Sequence, residues 1–255
     1  MKVFAPCFEC TFSSNPRFES QLVDYFDDGV AFATCSVGHK FAVIVQTQKF
    51  EILLNSGAAA LLEGFTLEAC ASFSAALERF YEFFIRISAR SRKISTDLFD
   101  EMFKTMAQQS ERQFGAFLML YLLEFNEPYK ENPKIRTFRN KVIHKGEIPQ
   151  NDKSAEFCSW VYDEINKVYQ KMLEKGDNFS LREATMEMIV SRRKNIPNGM
   201  SVATASEAGI FPLSHKDQKS SFSEALEDFR KSREMLRRTV IDPFPVGRHD
   251  HSEQK

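Results

Sequence analysis

The sequence predicts a mainly α protein: a helical bundle with a small N-terminal β element. Three observations predict it. Apolar residues recur at helical spacing through the middle of the 255-residue chain. Capping residues, glycines and prolines cut that middle into helices joined by short loops, as in a bundle. Runs rich in Val, Phe and Thr are confined to the N-terminal part. The chain then divides into a β-containing segment at 1–55, a helical bundle at 56–176 and a looser C-terminal region at 177–255.

In the first segment, "VAFATCS" (30–36) and "KFAVIVQ" (40–46) flank the turn candidate "VGHK" and predict an antiparallel hairpin. "FEILL" (50–54) is expected to add a third strand. In the bundle, Thr66 is the expected N-cap of a long helix. Its Phe73, Leu77, Phe80 and Phe84 fall on one face. Thr96 is the expected cap of a second helix beginning at Asp97. Ser110 and Gln113 have capping-box spacing ahead of Phe114, Phe117, Leu118, Tyr121, Leu122 and Phe125. Val161, Ile165, Val168 and Met172 mark another long helix, which stops at Gly176. Ser180 with Glu183 and Ser221 with Glu224 open two further helices. The stretch from Pro197 to Ser221 reads as a linker. The tail after Asp242, with His249 and His251, is expected to be disordered.

Composition bounds the function. Hydrophobic residues at 43% and charged residues at 27% fit a globular chain. A formal net charge of −1 argues against a surface coated for duplex DNA, though a local basic site stays open. The 25 phenylalanines and single tryptophan predict a phenylalanine-rich core. Five irregularly spaced cysteines argue against a secreted disulfide framework. Cys7 and Cys10 form one CxxC, with no second CxxC or CxxH at zinc-finger spacing. Buried thiols in a reducing cytosol, and no metal, are the expectation there. No apolar run reaches the roughly 18 residues of a membrane span, and the N-terminus lacks a signal-peptide core. A cytoplasmic protein without membrane association follows. No phosphate-cradling glycine loop, nucleophile elbow or evident Cys–His pair is visible, and no cofactor is expected.

The most informative stretch is "NPKIRTFRNKVIHKGEIP", Asn132 to Pro149. Asn132 is a good N-cap and Pro133 a good first helical residue; Gly146 and Pro149 end the helix. Ile135, Phe138 and Val142 form its expected buried stripe, with Arg139 at the edge. Asn140 and His144, four apart, should share the polar face. This is either a surface helix ending in a cap or a site joining a fixed cation to a titratable ring. Spacing alone does not decide, because an Arg-x4-His pair arises about 0.3 times by chance in this composition. The asparagine after the arginine, the nearby Lys134, Arg136, Lys141 and Lys145, and the preceding helices add weight to a site. Arg139 can hold a phosphate by two parallel hydrogen bonds. His144 can carry a proton and Asn140 can orient either group. RNA backbone cleavage needs those parts. Without a metal cluster or side-chain nucleophile near the motif, the attacking group would be the substrate's own 2′-hydroxyl.

"RNKVIHKGEIP" resembles the signature of the HEPN superfamily, Arg-x4–6-His with a polar residue often following the arginine. "EACASFSAALERFYEFFIR" resembles the leading helix of such domains. The resemblance covers roughly 56–176. It implies a helical bundle, a homodimer with facing motifs, and in many members a metal-independent endoribonuclease of phage defence or toxin–antitoxin systems. RNA, and an antitoxin or defence-system partner protein, are the implied partners. Carried across, it implicates Arg139, Asn140 and His144 in catalysis. Glu78 and Glu82 are candidate supporting residues, and Lys141 and Lys145 candidate RNA contacts. Some HEPN domains are non-catalytic modules that bind nucleotide or protein, and that reading stays open.

Overall fold

Phenylalanine builds the core, as the composition predicts. In the computed structural model, which describes residues 2–176, 178–206, 209–211 and 221–239, the fold is mainly α with a small N-terminal β part. The tail with His249 and His251 lies outside the described residues, as do residues 212–220 of the predicted linker.

The chain forms two compact units. One contains residues up to Val45 and the stretch Arg192–Ala205, together with the end of the last helix from Glu234; the other contains Gln46–Ser191 and Ser206–Arg233.

The first unit carries the strands. β1 (Lys2–Pro6) pairs antiparallel with β2 (Ser20–Asp24), and one helical turn, α1 (Phe8–Thr11), follows β1. The predicted hairpin is present as β3 (Val30–Thr34) and β4 (Lys40–Val45), registered Val30 to Ile44 and Thr34 to Lys40. β5 (Ser201–Ala205) joins β4 in parallel, inside the stretch expected to be a linker. Its residues, Ser-Val-Ala-Thr-Ala, are mostly small, so it lacks the bulky alternation that marks a strand. Ala5, Cys7, Cys10, Cys35, Phe41 and Val43 make a small buried cluster here.

The second unit carries the bundle: α2 (Lys49–Leu62), α3 (Thr66–Ser91), α4 (Thr96–Met106), α5 (Ser110–Phe125), α6 (Pro133–Arg139), α7 (Asn151–Glu174), most of α8 (Asn178–Arg193) and the start of α9 (Phe222–Thr239). "FEILL" is helical, against the expectation of a strand. Gln48 and Glu51 cap α2 reciprocally, with Gln48 N–H donating to Glu51 Oε2 at 2.8 Å. A short apolar run does not distinguish strand from buried helix; the cap does.

The predicted stripes are buried. Phe73, Leu77, Phe80 and Phe84 of α3 meet Val161, Ile165, Val168 and Met172 of α7 in one core. Phe84 contacts Phe117 edge-on at 5.1 Å, and Tyr81 lies 4.3 Å from Phe117 between centroids. Leu122 departs from its expected place and is 43% exposed. The predicted cap at Ser221 and Glu224 is present, with Ser221 N–H donating to Glu224 Oε2 at 2.8 Å.

Candidate active site

The motif helix starts as its sequence predicts. Asn132 Oδ1 accepts from Lys134 N–H at 3.1 Å, and Pro133 occupies the first turn. Ile135 and Val142 are buried, while Phe138 is partly buried and stacks on Phe157 at 4.9 Å. The helix does not continue as a single α-helix to Lys145. α6 ends at Arg139, and Asn140–His144 form a π turn. Gly146, at φ 69°, then reverses the chain in a conformation that favours glycine, and Glu147 N–H donates to the Lys141 carbonyl at 3.1 Å.

The π turn changes which side chains share a face. Its hydrogen bonds run between residues five apart, so such residues lie about one turn above each other. On a continuing α-helix, residues five apart would diverge by about 140°. Arg139 and His144 are five apart, and both line one cleft. The α-helical pairing of Asn140 with His144 is therefore not the geometry present, although Asn140 lines the same cleft.

The cleft has a volume of about 450 Å³ and is walled by α3, α5 and the motif segment. Glu78, Tyr81, Gln113, Glu131 and Arg136 join Arg139, Asn140 and His144 in its lining. Arg139 Nη2 donates to Glu78, and the two side chains are 33% and 27% exposed. Its Nε–H is buried without a protein partner. Arg136 pairs with Glu131. Tyr81 hydroxyl lies 3.4 Å from that of Tyr129, and burial pushes the Tyr81 phenol up, which keeps it neutral. Asn140 and His144 are exposed to solvent.

The proposed supporting residues separate. Glu78 reaches the site. Glu82 pairs with Arg79 at 2.7 Å and does not line the cleft; Arg79 also donates to Gln113 at 3.2 Å. Lys141 and Lys145 are exposed and lie outside the lining. Arg136 belongs to the local basic context read from the sequence, whereas Tyr81, Gln113 and Glu131 were not anticipated as neighbours. Their meeting depends on α3, α5 and α6 packing together, and only the Glu131–Arg136 spacing was legible locally. Among the described residues, the one group of three or more close metal-ligand side chains contributes nothing to the cleft. No helix is long and apolar enough, among the described residues, to cross a membrane.

Compared with family models, with curated proteins and with solved structures, the chain finds no match.

Proposed function

We propose that the protein is a metal-independent endoribonuclease of the HEPN type. The observation that carries this reading is the π turn, which turns Arg139 and His144 into one cleft with Asn140. A cation at fixed charge beside a proton carrier is what 2′-hydroxyl attack on the adjacent phosphate requires. His144 takes or returns the proton of the 2′-hydroxyl or the departing 5′-oxygen. Arg139 offsets charge on the phosphate in the transition state. Asn140 orients one of them. Glu78 holds the guanidinium in place at the cleft wall. Lys141 and Lys145 guide RNA by long-range attraction, which salt weakens.

A homodimer completes the proposal. Two copies across a two-fold axis supply two Arg–His pairs and cover the apolar Ile143 and Ile148, which are 38% and 76% exposed. Phage defence or a toxin–antitoxin system is the proposed setting, with an antitoxin or defence protein as the restraining partner. The resemblance carries that part of the proposal.

The second reading is a non-catalytic module that binds nucleotide or a partner protein through the same cleft. The Arg139–Glu78 pair favours it, because a carboxylate already satisfies part of the guanidinium. Incubating purified wild type and His144→Ala with RNA separates the two. Cleavage by wild type alone supports the nuclease; equal RNA binding without cleavage by either supports the module.

A further inference from the structure

Away from the cleft, the first unit brings together two pairs of side chains that are far apart in sequence, Cys7 with Cys10 and Cys35 with His39. Cys7 follows β1, Cys10 lies in α1, Cys35 follows β3 and His39 precedes β4. Their three sulfurs and a ring nitrogen all lie within 4.8 Å of one another. Cys10 Sγ is 3.4 Å from His39 Nδ1 and 3.7 Å from Cys35 Sγ; Cys7 Sγ is 3.7 Å from His39 Nδ1. Zinc held at about 2.3 Å from sulfur and about 2.0–2.1 Å from nitrogen has tetrahedral edges of about 3.8 Å between sulfurs and about 3.5–3.6 Å between sulfur and nitrogen. These three separations match those edges, and the other three are no longer than 4.8 Å.

We propose that Cys7, Cys10, Cys35 and His39 bind one zinc ion through three thiolates and Nδ1, and that the ion staples the first unit. Binding displaces three thiol protons to solvent and leaves the four-ligand centre with a net charge of −1. The surroundings suit that charge. His39 N–H points at Cys35 Sγ at 3.3 Å. Gly38, at φ 93°, closes the knuckle with its N–H on the Cys35 carbonyl at 3.0 Å. The buried Glu19 fixes the same knuckle, accepting from Ser36 N–H at 2.6 Å and from Ser36 hydroxyl at 2.7 Å. On its far side, His39 Nε2 lies 3.7 Å from Glu9 Oε2, so a carboxylate backs the ligand ring and favours a proton on Nε2.

Two other uses of these groups fit less well. A Cys10–Cys35 disulfide would engage two sulfurs and leave the convergence of Cys7 and His39 unaccounted for. A Cys10–His39 nucleophile would need access, yet Cys7, Cys10 and Cys35 are 0%, 2% and 5% exposed. A buried site with four protein ligands is the closed, structural kind. The unit also needs a staple, because its hydrophobic cluster is small. Cys7 and Cys10 are buried free thiols, as expected; the proposal adds Cys35-x3-His39, spaced as CxxxH rather than the CxxH sought in the sequence.

The test uses the full chain purified with reductant and supplied with zinc. Elemental analysis should find on the order of one zinc per chain. Cobalt in its place should give the intense visible bands of a tetrahedral, thiolate-rich site. Cys35→Ser and His39→Ala should each weaken zinc retention against a competing chelator by at least about tenfold. Because either variant may unfold the unit, His39→Cys supplies a fourth thiolate and should retain the metal. Cys70→Ala, a buried cysteine of the second unit, should leave zinc content unchanged. Wild type that binds no zinc overturns the proposal. So does undiminished zinc in Cys35→Ser.

Discussion

Replacing Arg139 by alanine should cost far more activity than stability. Its ion pair with Glu78 is neither fully exposed nor buried, with side chains 33% and 27% accessible. Exposed pairs contribute about 0–1 kcal/mol, and breaking a fully buried pair costs about 3–5 kcal/mol. At this exposure Glu78 can rehydrate, so Arg139→Ala should destabilise by about 1–2 kcal/mol, a fall of about 2–8 °C in melting temperature for a chain of this size. Losing a charge stabiliser aimed at the transition state costs about 2.7–4 kcal/mol, or about 10²–10³ in rate. The assay pairs a thermal melt with single-turnover RNA cleavage well below the melting temperature. Adding Glu78→Ala should recover part of the lost stability, since no carboxylate is then left unpaired, but none of the lost cleavage. A variant that keeps full cleavage refutes the assignment of Arg139. Recovery of cleavage along with stability in the double variant would show that the pair is only structural.

Further outcomes follow from other parts of the molecule. Gly146→Ala meets no atom within 4 Å of its new Cβ, so only the left-handed φ of 69° opposes it; a loss of about 1–2 kcal/mol in urea denaturation is expected, with reduced cleavage from a looser His144. Phe117→Ala removes a fully buried ring and should cost about 3–5 kcal/mol in the same measurement. Burial alone would raise the Glu124 carboxyl, but hydrogen bonds from Lys175, Ser88 and Arg92 outweigh it and lower it from 4.5 to about 2. A depressed carboxyl stabilises the fold above its unfolded value and loses that contribution as pH falls through the folded one. Acid titration of wild type should therefore show about 1–3 kcal/mol lost between pH 4.5 and about 2, and Glu124→Gln should lack that component. Glu9→Ala, behind His39, should weaken zinc retention by about 10–100-fold, read by competition with a chromophoric chelator.

Local signals were legible more often than non-local ones, although the caps expected at Thr66, Thr96 and Ser110 fall one residue earlier, at Phe65, Ser95 and Gln109, because neighbouring residues compete for the same helix start. The hairpin, the long amphipathic helices, the Asn132 cap and the Gly146 stop each depend on residues close in sequence, and the structure has all of them. β5 escaped notice because its strand identity comes from pairing with β4, far away in the chain. The π turn escaped because apolar spacing does not separate one widened turn from an α-helix; Ile135 and Val142 are buried in either case. Glu78 was legible as a candidate, four residues from Glu82 on the polar side of α3, but its pairing with Arg139 required the packing of two helices. The cysteine–histidine cluster is assembled by the β topology, and half of it looked like an ordinary hairpin turn.

The proposed reaction has Arg139 and His144 cut RNA with the substrate's own 2′-hydroxyl as the attacking group. Its most direct test maps a cut site on an RNA, then replaces the single ribose on the 5′ side of that cut by deoxyribose. Brief treatment with EDTA, under conditions that leave any bound zinc in place, should not affect cleavage of the unmodified RNA. The deoxy position should be spared while other sites are still cut, and normal 5′ fragments should end in a cyclic or 3′-phosphate. His144→Ala should leave both RNAs intact. Efficient cutting at the deoxy position, or a free 3′-hydroxyl on the 5′ fragment, would contradict the proposed reaction.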